Sequence, residues 1–86
     1  MKRIGTIGII VEDRNEVHFV QDVLTEFSGS ILGRMGIPDK EDGISVIAII
    51  VKDTNEKISA LCGKLGNIKN VSVKSALSAK ILQEGN

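Results

Sequence analysis

Tryptophan and tyrosine are absent from this 86-residue chain, and its two phenylalanines, Phe19 and Phe27, fall in one segment. An RNA-recognition sheet stacks bases on aromatic side chains of its central strands, and none is available here. Cysteine occurs once, at Cys62, so an internal disulfide is excluded and a reducing compartment is expected. One cysteine and one histidine, His18, cannot close a metal site within a single chain, and an iron–sulfur cluster needs several cysteines. Eleven basic residues balance eleven acidic ones, which leaves no bulk attraction to nucleic acid or to an anionic membrane. The apolar run from Ile4 to Val11 is far shorter than a membrane span and ends at Glu12-Asp13-Arg14, without the cleavage site of a signal peptide. These absences imply a cytoplasmic protein with no cofactor, no metal, no membrane partner and no direct nucleic-acid partner.

What is present is a duplication. Ile7-Gly8-Ile9-Ile10-Val11-Glu12-Asp13-Arg14-Asn15-Glu16 aligns without gaps on the segment forty positions later, Ile47 to Glu56, and seven of the ten pairs are identical. One such repeat in so short a chain marks a doubled supersecondary unit. Each copy opens with a β-branched run that reads as a strand. An Asp three residues before a Glu follows (Asp13 and Glu16, Asp53 and Glu56), the spacing of a variant capping box, so these acids are expected to cap helices. Helix one is predicted from about Asn15 to Ser28, with Val17, Val20, Leu24 and Phe27 on its apolar stripe. Helix two is predicted from about Thr54 to Leu65, with Ile58, Leu61, Cys62 and Leu65 on its stripe.

Further strands are predicted at Ser30 to Ile37 and Asn70 to Ser75, and Pro38 to Gly43 supplies the turn between the halves. The order β-α-β-β-α-β predicts an α+β, ferredoxin-like fold: a four-stranded antiparallel sheet with both helices on one face. Residues 1–76 form this domain, and 77–86 a tail that ends in a short helix or frays. The two central strands, Ile7–Val11 and Ile44–Val51, are apolar on both faces. Helices cover only one face, so a second copy is expected on the other, making a homo-oligomer.

No constellation of nucleophile, base and oxyanion donor emerges, and the chain is expected not to be an enzyme. The first strand–helix turn, Glu12 to Glu16, carries three carboxylates and one Arg and would repel a phosphate. Gly33 and Gly36 fall in an edge strand and read as marks of a bulge or close backbone approach. The loop Asp39-Lys40-Glu41-Asp42-Gly43 lacks calcium-loop spacing. Cys62 reads as a small buried hydrophobe and His18 as a surface histidine.

Four segments, Ile7 to Arg14, Ile31-Leu32-Gly33-Arg34-Met35-Gly36-Ile37-Pro38, Ile58 to Gly66 and Val71 to Lys74, together resemble a small bacterial family of proposed regulators of the iron-only hydrogenase system. Such proteins are similar to ACT domains and to the C-terminal domain of the nickel-responsive repressor. The resemblance implies a regulatory module that binds a small effector or a partner such as a hydrogenase-maturation protein. ACT domains place their ligand beside a D-R-P-G-like turn after the first strand. Asp13-Arg14 matches its start, whereas Asn15-Glu16 replaces Pro-Gly. The resemblance therefore points to Asp13, Arg14 and Asn15, with Arg34 as a further anion contact, as the effector site; Arg34 reads equally well as a charge that protects an edge strand. The alternative is a structural subunit of a larger assembly that binds no small molecule. Regulation of transcription would then need another protein's DNA-binding domain.

Overall fold

The computed structural model describes residues 1–82. Its elements are strand β1 (Arg3–Val11), helix α1 (Val17–Glu26), strands β2 (Ile31–Asp39) and β3 (Ile44–Asp53), helix α2 (Asn55–Gly66) and strand β4 (Val71–Leu77). The sheet is antiparallel in the order β2-β3-β1-β4, with both helices on one face. This is the ferredoxin-like arrangement, and the duplication explains its centre. β1 and β3 pair with Gly8 opposite Ala48, Ile9 opposite Ile47 and Ile7 opposite Ile49. Each of these pairs joins equivalent or exchanged positions of the two copies, so an internal pseudo-two-fold axis passes through Gly8 and Ala48.

Side-chain alternation along these strands divides the isoleucines between two environments. Ile7, Ile9 and Val11 of β1, with Ile47, Ile49 and Val51 of β3, face the helices and are buried. Val20 and Leu24 of α1 and Ile58, Leu61 and Leu65 of α2 close over them to form one core. Cys62 packs against its margin, and burial pushes its thiol pKa up against a smaller opposing pull from a hydrogen bond with Ser75. The thiol therefore stays protonated near neutral pH, as a small packing group.

The predicted helix starts shift by local chemistry. Before α1, Asp13 caps a single 3-10 turn over Arg14–Glu16, accepting the Asn15 N–H at 2.9 Å, and the α-helix begins only at Val17. Before α2, Thr54 is the cap, its hydroxyl accepting the Lys57 N–H at 3.3 Å. The two turns differ because Thr54 supplies a capping hydroxyl where the first copy has Arg14. No side-chain cap forms at the α1 start, so the expected reciprocal box with Glu16 is not made.

The edges are blunted. β2 contains a register shift between Ile31 and Gly33, and Pro38 near its end cannot donate to a neighbouring strand. The hairpin to β3 turns at Gly43, whose φ of 72° suits glycine. At the other edge β1 and β4 approach closely at Gly5, where a Cβ would lie 2.4 Å from the Ala76 carbonyl oxygen. Beyond β4, Ser78 donates its N–H to the Ile4 carbonyl and Leu82 bridges to Lys2. The rest of the tail, 83–86, lies outside the described residues.

Candidate functional site

The first strand–helix turn sits where β1 hands over to α1. Asp13 is half-buried and its carboxylate is committed to the Asn15 N–H, while its carbonyl accepts the Glu16 N–H at 2.9 Å. Arg14 and Asn15 are exposed. Arg14 lines a hollow of about 390 Å³ with Val17, Pro38, Asp39 and Ser45. A second hollow continues along α1 between Val17 and Gln21 and the β2 residues Gly36 to Pro38. A third lies beyond it, between Leu24, Thr25 and Ser28 of the helix side and Leu32 to Arg34. The three lie in succession along a groove between α1 and edge strand β2. Arg34 is opposite Ile49, on the helix side of the sheet, and its guanidinium donates to the Gln21 carboxamide oxygen. Arg14 and Arg34 thus share one groove, whereas Asp13 and Asn15 line none of the three hollows and act on the turn itself.

Gln21 was not expected at the site. Its signal in the sequence is its position one turn after Val17 on the same flank of α1 as Leu24 and Ser28. Of the bulge or close backbone approach expected at Gly33 and Gly36, the register shift falls just before Gly33, and neither glycine is closely approached by backbone. Gly36 faces the helix side, where an added Cβ would meet the Ile47 side chain at 3.7 Å.

The second strand–helix turn holds a different arrangement. Asp53 is 7% exposed; its carboxylate accepts the Ser30 hydroxyl and, at 2.7 Å, the Thr54 N–H. The Ser30 hydroxyl is the main reason its pKa lies below the ordinary value. Burial pulls the other way, and the Thr54 N–H and the charges of Lys57 and Lys2 lower it further. A cleft of about 600 Å³ opens beside the pair, lined by Lys2, Phe27, Thr54 and Lys57 among others. The buried carboxylate ties the start of α2 to the connection between α1 and β2. Because its folded pKa is depressed, its contribution is complete above the unfolded value near 3.9 and is lost as pH falls through the folded value. Asp53→Asn is therefore expected to flatten the acid limb of the urea-unfolding midpoint measured below about pH 4. An unchanged acid limb in the variant would assign the acid sensitivity to other carboxylates.

Among the described residues no three His, Cys, Asp or Glu side chains converge as metal ligands, and no helix is long and apolar enough to cross a membrane. His18 is exposed, its ring 3.9 Å from that of Phe19 between centroids.

The fold and this groove can be set beside known proteins. The uncharacterized protein TM1266 of Thermotoga maritima is 40% identical over 90% of this chain and 98% of its own, with a TM-score of 0.86. The C-terminal domain of the MgtC protein from Mycobacterium tuberculosis superposes at a TM-score of 0.65 with 17% identity, over 88% of this chain and 87% of that one. The ACT domain of the GTP pyrophosphokinase of Chlorobium tepidum covers 99% of this chain and 96% of its own at 18% identity and a TM-score of 0.61. These last two establish likeness of fold alone. No curated protein matches the chain at a significant level. The TM1266-like family model, described as "Iron-only hydrogenase system regulator, putative", matches residues 3–75. The chain belongs to this family of iron-only hydrogenase system regulators.

Proposed function

We propose that the protein is a non-enzymatic regulatory module of the iron-only hydrogenase system that self-associates through its open sheet face and reads a small anionic effector in the groove between α1 and β2. The observation that carries the association is the uncovered face. Ile10 is 37% exposed, Ile50 43%, Val46 44%, Ile37 61% and Met35 65%. An apolar patch of this kind on a small domain marks an interface. Arg14 and Arg34 supply the positive charge of the groove, Gly36 leaves room for a ligand against the strand, and Asp13 and Asn15 hold the turn that carries Arg14. Membership of the family supports a role in the hydrogenase system, and a hydrogenase-maturation protein is the macromolecular partner proposed here.

The competing reading, a structural subunit without a ligand, differs in one measurable respect. A ligand bound only by the native state raises the unfolding midpoint by mass action. Thermal-shift screening against amino acids and nucleotides is expected to find a compound whose shift disappears in Arg14→Ala and Arg34→Ala. If no compound moves the midpoint while a hydrogenase-maturation protein is captured directly, the effector part is wrong and the structural reading takes its place. Light scattering tests the association: a monomer throughout the micromolar range would overturn it.

A further inference from the structure

The strand register sorts the open face into rows, because residues directly opposite in an antiparallel sheet share a side. One row reads Ile37, Val46, Ile10, Ser72; the next Met35, Ala48, Gly8, Lys74; the third Gly33, Ile50, Thr6, Ala76. Beyond the first row lie Asp39 and Ile44, with Glu12 just past the end of β1, where its N–H still bonds to Asn70. Beyond the third lie Lys52 and Ile4. The face is therefore apolar in the middle, acidic at one end and basic at the other. Glu12 and Lys52 are equivalent positions of the duplication. The two copies thus agree through their buried isoleucines and carry opposite charges at opposite ends of the open face.

We infer that a second copy of this chain docks on the open face with its strands antiparallel to those beneath, about a two-fold axis that lies between the two sheets along the Met35–Ala48–Gly8–Lys74 row. This deepens the association proposed above and rests on it. A two-fold face-to-face pair has two simple alignments. With the axis along the strands, like ends meet: Glu12 and Asp39 oppose the same acids of the other copy. With the axis across the strands, each end meets its opposite. Lys52 then stands over Ile44 of the second copy, between that copy's Glu12 and Asp39.

The apolar rows fit the same alignment. The row bearing Ile37, Val46 and Ile10 stacks on the row bearing Gly33, Ile50 and Thr6, so that bulky Ile37 meets a glycine. Ala48 and Gly8, both small, lie on the axis and let the sheets approach. Lys74 meets its own counterpart, but on edge strand β4 its long side chain can turn out to solvent. The β2 edge competes poorly as an interface, since Pro38, the register shift after Ile31 and the charge of Arg34 all oppose strand addition. Four strands spaced about 4.8 Å apart and five rows about 6.8 Å apart give a face of only about 650 Å² in projection. Interfaces of that size are weak, so dissociation in the micromolar range is expected.

Sedimentation of the full chain and its variants tests the alignment. Lys52→Glu places acid against acid at both symmetric contacts and is expected to weaken dimerisation about tenfold or more. Glu12→Lys weakens it less, because Asp39 remains. An equimolar mixture of the two variants is expected to dimerise more tightly than Lys52→Glu alone but more weakly than the wild type, since one contact keeps Lys52 against Glu12 and Asp39 while the other sets Glu at 52 against Lys at 12 with Asp39 still opposed. Far-UV circular dichroism confirms that both variants fold, as both positions are exposed. If the wild type dimerises but Lys52→Glu dimerises equally well, the antiparallel alignment is wrong while self-association stands. A wild type that stays monomeric overturns both.

Discussion

Truncation of Ile49 to alanine is expected to lower stability by about 2–5 kcal/mol, the range for removing a large aliphatic side chain from a packed core. Ile49 is fully buried, lies opposite Ile7 and Arg34 on its neighbouring strands, and belongs to the single cluster that joins both helices to the sheet. A domain of this size carries a total stability of only about 4–13 kcal/mol, so the loss is a large share of the whole. For so small a domain each kcal/mol lowers the melting temperature by about 4–8 °C, and the variant is expected to melt roughly 8–40 °C below the wild type. Thermal unfolding followed by circular dichroism at one fixed protein concentration reads the shift, since association itself changes the apparent stability. A shift of only a few degrees would mean that the core relaxes into the cavity and that Ile49 is not central to it.

The position of Ile49 was legible before any coordinates. The repeated Ile-x-Ile-x-Val pattern gave both central strands, and the forty-residue shift made them equivalent, so their pairing about Gly8 and Ala48 follows from symmetry. The helix stripes followed from spacing: Val20, Leu24, Ile58, Leu61 and Leu65 are all buried. What could not be read was chemistry between distant residues. Ser30 and Asp53 are separated by 23 positions, and their bond draws Asp53 out of the capping role that local spacing assigns to it. Thr54 takes that role because a hydroxyl at the correct offset was already present. Of the four candidate effector residues, Asp13, Arg14 and Asn15 share a turn because they are contiguous. That Arg34 reaches Gln21 depends on β2 lying next to α1 and on a register shift that sets which residues of β2 face the helices.

The residue after Ile49 carries the second large effect, and on a different property. Ile50→Asp is expected to leave the fold intact and to weaken self-association by more than about 100-fold. Ile50 is 43% exposed on the face away from the helices, so an aspartate there keeps its water in the monomer. The cost to folding is the modest penalty for Asp in a strand, about 1 kcal/mol. In the assembled state the same carboxylate is taken into an apolar contact without a partner, at a cost of a few kcal/mol. A two-fold axis applies that cost twice, and each 1.4 kcal/mol is tenfold in affinity. Ile49→Ala and Ile50→Asp therefore separate the two jobs of one strand: the first lowers the melting temperature, and the second changes the sedimentation coefficient at a melting temperature close to that of an isolated wild-type monomer. Persistence of the dimer in Ile50→Asp would move the interface off the sheet face, and the β2 edge, despite Pro38, would become the surface to test next.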